Sequence, residues 1–147
     1  MPNFVFQRFE KTMVVVQTSK EPGDDEWQAY CDACVEMVND LGGYEGTGAL
    51  IFSDGGAPAS RHRVQLGKIL AGKTVPSAVV TDSLVVRTAL GIFSLINPGI
   101  KVFPSRDWTK AAAFALVPPN KQLETLKVAV KLGRIAGDIK VLRAMGL

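Results

Sequence analysis

The chain has one histidine, two cysteines and no apolar run near the ~20 residues that a membrane helix needs. Each shortage excludes something. His62 stands alone, so a Ser–His–Asp or Cys–His catalytic site would have to be built around it. It lies between Arg61 and Arg63 and reads as an exposed side chain at a helix start. Cys31-Asp32-Ala33-Cys34 has the spacing of a redox pair. Such a pair works when its first thiol caps a helix, where the thiolate is stabilised. Here the pair falls about two turns inside a predicted helix, on the face of Trp27 and Val38, so both read as core residues. No second Cys or His pair completes a metal site, and no metal or cofactor is expected. Gly-x-Gly-x-x-Gly and P-loop patterns are absent. Met1-Pro2-Asn3-Phe4 lacks the basic-then-apolar layout of a signal peptide, and two cysteines suit a reducing compartment, so a cytoplasmic protein is expected.

What is present describes a globular domain. The 147 residues suffice for one core, and 47% hydrophobic against 21% charged residues argue against disorder. Charge is uneven. Residues 1–119 carry 11 basic and 12 acidic groups, whereas residues 120–147 carry six basic groups against Glu124 and Asp138. The basic excess belongs to the tail, where aromatics are not interleaved; no DNA partner is expected, nor contact with a membrane surface.

Phe4–Phe9 alternates, and Met13–Thr18 holds the run Val14-Val15-Val16; a tight turn between them predicts an antiparallel hairpin. After Pro22-Gly23, Asp24 or Asp25 can cap a helix ending at Gly42-Gly43. Strand and helix then alternate: strands at Ala49–Phe52, Ser77–Val80 and Ile100–Phe103, helices at Ser60–Ala71, Leu84–Ile96 and Arg106–Leu116. This order predicts an α/β fold with a mixed, mostly parallel sheet. Pro118-Pro119-Asn120 marks a boundary between a domain over 1–117 and a basic helical extension over 118–147, kinked near Gly133.

In such a sheet the segments after the strands share one edge, where ligands commonly bind at helix N-termini. The candidate binding residues are therefore Asp54, Gly55, Gly56, Thr81, Asp82 and Ser83, with Ser60, Arg61, Arg63 and Arg87 in the following helices. Arginines in a first helical turn oppose the helix dipole and invite an anion, either a small molecule or a group on a partner. A receiver-type phosphorylation site would use Asp54 and Thr81 in this way. It also needs an acidic pair after the second strand, where Gln17-Thr18-Ser19 stands, and a lysine after the last, where Pro104 stands. No catalytic residue is assigned.

Val75-Pro76-Ser77-Ala78-Val79-Val80-Thr81-Asp82-Ser83-Leu84-Val85-Val86-Arg87, the stretch Phe93 to Phe103 with Asn97-Pro98-Gly99, and Ala111-Ala112-Ala113 resemble the uncharacterised bacterial STAS-like, or SpoIIAA-like, proteins. The resemblance covers residues 4–116 in layout. It implies a mixed sheet packed by helices, and relatives that bind protein partners, some also nucleotides or lipids. Antagonists of anti-sigma factors in that group are switched by phosphorylation at an Asp-Ser step heading the helix after the middle strand. Here Ala59 precedes Ser60, and the one Asp-Ser step is Asp82-Ser83, a strand later. The function expected from this reading is a non-enzymatic regulatory module that binds another protein. The alternative is binding of an anionic small molecule, a nucleotide or a lipid, at the strand ends. The helix Leu84–Ile96 is apolar around most of its circumference, so a homodimer or the tail is expected to cover it.

Overall fold

A partly exposed first strand beside a fully buried second one sets the architecture. β1 (Phe4–Phe9) pairs antiparallel with β2 (Thr12–Gln17), Phe4 opposite Gln17 and Phe9 opposite Thr12. β2 is buried on both faces, as a central strand must be. β3 (Gly48–Ser53), β4 (Ser77–Val80) and β5 (Ile100–Phe103) follow in parallel, giving a five-stranded sheet in the order β1-β2-β3-β4-β5. The computed structural model describes residues 1–88 and 99–147.

α1 (Asp24–Leu41) joins β2 to β3, and α2 (Ser60–Leu70) joins β3 to β4. Right-handed crossovers that step the same way place both helices on one face. There Phe4, Met13, Val15 and Ala49 of the sheet pack against Trp27, Tyr30, Cys31 and Met37. Residues 84–88 open α3; the rest of the predicted Leu84–Ile96 helix lies outside the described residues.

The opposite face is covered from the C-terminal side. α4 (Trp108–Phe114) follows a 3-10 turn at Ser105–Asp107. A second 3-10 turn, Pro119–Lys121, leads into α5 (Gln122–Ala136), and α6 (Lys140–Ala144) follows. Val14, Val16, Leu50, Phe52, Ala78, Val80 and Phe103 share one core with Ala111, Ala112, Ala129, Leu132, Ile139, Val141 and Leu142. The segment expected as an extension thus forms one of the covering layers.

Two local expectations are corrected. Neither Asp24 nor Asp25 caps α1. Its N-cap is Gly23, whose N–H donates to Glu26 Oε1 (2.9 Å), while Glu26 Oε2 accepts the N–H groups of Asn3 and Phe4. And the tail helix does not break at Gly133. It continues to Ala136 and stops at Gly137, whose φ is +111°. Gly133 is a packing residue: a Cβ there would lie 2.6 Å from Leu142 Cδ1, so its bareness lets α6 fold back onto α5.

Candidate functional site

The carboxyl ends of β3, β4 and β5 bring Asp54, Gly55, Gly56, Thr81, Asp82 and Ser83 into neighbouring loops, as the strand order requires. Several of the groups that could hold a ligand there are engaged by the chain itself. Asp54 accepts hydrogen bonds from the backbone N–H of Lys140 (2.7 Å, to Oδ2) and of Val141 (2.9 Å, to Oδ1). It thereby supplies the acceptors that the first turn of α6 lacks, and its charge suits that helix end. Asp82 Oδ1 accepts the N–H of Ser105 (2.9 Å), tying the β4–α3 loop to the turn after β5.

The neighbouring hydroxyls are spent in the same way. Thr81 Oγ1 accepts the N–H of Ser83 (3.2 Å), and Ser83 Oγ accepts that of Val86 (3.4 Å), a cap at the head of α3. Ser53 Oγ accepts the N–H of Gly55 and donates to the carbonyl of Gly56. Gly56 lies flat against the β2–α1 loop. Its N–H donates to Thr18 O, and a Cβ on it would lie 2.1 Å from Lys20 O. Backbone crowding requires a glycine here.

Ser60, Arg61 and Arg63 lie on the side of the edge where α1 and α2 begin. The anion that Arg61 invites is Asp24. Arg61 Nε and Nη2 donate to Asp24 Oδ1 at 3.1 and 3.0 Å. The same oxygen accepts His62 Nε2 at 2.8 Å. These donors hold the Asp24 carboxyl below its ordinary range, the His62 bond first and the Arg61 bond second. Arg63 donates to Pro58 O and Ser60 Oγ. Arg87 is exposed, and among the described residues it makes no ion pair.

His62 overturns its expectation. It is 2% exposed, packed beside Trp27, whose Nε1–H donates to His62 O (3.0 Å). The N–H of Ala59 donates to His62 Nδ1 (3.2 Å), which leaves the ring proton on Nε2 for Asp24. A His–Asp pair usually points to base catalysis, but the base needs one ring nitrogen free for a nucleophile. Both nitrogens here bind the protein, so the pair fastens α2 to α1.

No family model, curated protein or solved structure matches the chain. The site is therefore read from its own geometry. Cys31 is fully buried and Cys34 partly so, and both are free thiols. Burial pushes them up to about 11 and about 12, the reverse of an activated thiolate. Among the described residues no cluster of His, Cys, Asp or Glu could hold a metal ion, and no helix is long and apolar enough to cross a membrane.

Sequence reasoning missed Asp24, Trp27 and His62 as a unit, and missed Lys140 and Val141 as the groups that Asp54 serves. Ala59 offers no side-chain acceptor at the α2 N-cap, and that was the one local sign that another group must finish this helix start. The Asp54 contacts span 86 and 87 residues and leave no local signal.

Proposed function

We propose that the chain is a regulatory protein-interaction module of the STAS-like kind, with no chemistry of its own. One observation carries the reading: the strand-end carboxylates Asp54 and Asp82 are spent on the protein's own N–H groups at Lys140, Val141 and Ser105. A ligand at this edge would have to displace α6 or compete with the backbone. A partner protein needs only the finished surface. Beside that edge Leu84 and Val85 are 72% and 79% exposed at the head of α3, next to exposed Arg87. Large apolar side chains at such exposure suit burial against a second molecule. A second copy of this chain is the proposed cover, because the sequence from Leu84 to Ile96 is apolar around most of a helix.

The test is affinity purification of the tagged full chain from its native cells after crosslinking, with light scattering of the purified protein. The expected result is one reproducible protein partner in near-stoichiometric amount, and a dimer. Against the reading would stand a failure to recover any partner, together with a nucleotide or phosphorylated metabolite that raises the melting temperature. At 100 times its dissociation constant such a ligand adds ~2.7 kcal/mol.

A further inference from the structure

A helix lying on a sheet buries one face and normally offers water a polar one. α5 buries Thr125, Ala129, Leu132, Gly133 and Ala136. Its outer side is mixed. Leu123 is 64% exposed, and with half-buried Leu126 and Val130 it lines an open groove of about 290 Å³ completed by Leu147. Lys127, Lys131 and Arg134 form the rim.

These three cations repeat at i, i+4 and i+7, so they span ~10 Å along one stripe. Lys131 Nζ donates to Gln7 Oε1, a neutral acceptor. The nearby acids are engaged elsewhere, Glu124 with Lys121 and Asp138 with Arg143. Among the described residues no carboxylate lies within ion-pair distance of Lys127, Lys131 or Arg134. The stripe is thus a row of uncompensated positive charge beside an apolar trough.

We propose that this groove docks an acidic amphipathic helix of a partner protein. The proposal rests on the protein-interaction reading and gives it a surface. The occupant's apolar residues would fill the trough between Leu123, Leu126 and Val130, and its carboxylates would meet the basic rim. A bilayer fits the shape less well. Interfacial helices carry aromatic anchors, whereas the groove has no aromatic lining and two of its three α5 apolar residues, Leu126 and Val130, are half-buried beside exposed Leu123.

The test selects a displayed library of helical peptides of about 16 residues on the immobilised full chain. Three proteins are compared: wild type, the triple variant Lys127→Glu, Lys131→Glu, Arg134→Glu, and a control, Lys68→Glu with Lys73→Glu, on another surface. Circular dichroism melting confirms that each is folded, and the single variant Lys127→Glu replaces the triple if that one is not. The expected peptides carry acids flanking apolar residues at i, i+3 or i+4 and i+7. Their affinity falls at least about tenfold in the triple variant, falls with added salt, and is unchanged in the control. Peptides that bind the triple variant as tightly as wild type overturn this groove and leave the protein-interaction reading standing. No enriched peptide, with salt-sensitive co-sedimentation of the chain on phosphatidylserine vesicles, overturns the groove's peptide occupant in favour of a lipid surface and leaves the protein-interaction reading to its own test. No enriched peptide and no vesicle binding overturns the groove.

Discussion

Asp24 is a surface carboxylate with three donors on one oxygen, and its role is measurable. Its folded pKa lies below the ordinary 3.8, so it contributes stability that is present above that value and is lost as pH falls through the folded pKa. Asp24→Asn should lower the melting temperature at pH 6, and the gap to wild type should close as pH drops below 3.8; a gap independent of pH would show that the charge is irrelevant. The cysteines give a second residue-scale expectation. Thiols held near 11 and 12 stay protonated at pH 8, so iodoacetamide should label Cys31 and Cys34 slowly in the folded chain and fast in urea. Labelling at the rate of a free thiol would contradict their burial. Residue identity was legible where periodicity decides, as for Trp27, Tyr30 and Cys31 on one helix face. It was illegible for His62, whose neighbours Arg61 and Arg63 look solvated and are, while the ring between them turns inward to meet Trp27.

Elements were legible because strands and helices here keep clean periods and are punctuated by Gly and Pro. β1 and β4 and the start of α2 fall where the sequence puts them. Some glycines have tertiary reasons that the sequence does not show. Gly133 looks like a weak point in a helix, yet its function is to admit Leu142. Gly55-Gly56 looks like a ligand loop, yet Gly56 is needed where two backbones cross. Gly56→Ala should therefore destabilise the protein by about 1–3 kcal/mol, since the obstacle at 2.1 Å is a backbone oxygen that cannot rotate away. Thermal denaturation checks this; an unchanged melting temperature would mean the loops are not in contact.

At the scale of the whole molecule the C-terminal fifth is structural. Pro118-Pro119-Asn120 and the change of charge sign read as a boundary, because a sequence shows that a helix has an apolar stripe and not where the stripe docks. It docks on the sheet, where Ala129, Leu132 and Ala136 share a core with Val14, Val16 and Phe52. A chain cut after Val117 should lose its cooperative melt and near-ultraviolet circular dichroism; a sharp transition within a few degrees of the full chain would show that 1–117 stands alone. The carboxyl edge closes with the same segment, since Asp54 caps α6 over the place where α/β sheets usually take ligands. Amide hydrogen exchange at Lys140 and Val141 tests that closure most directly. If Asp54 holds these N–H groups, both should be strongly protected in the wild-type chain and lose protection in Asp54→Ala. Exchange at free-peptide rates in the wild type would mean an open edge, with Asp54 available to a ligand.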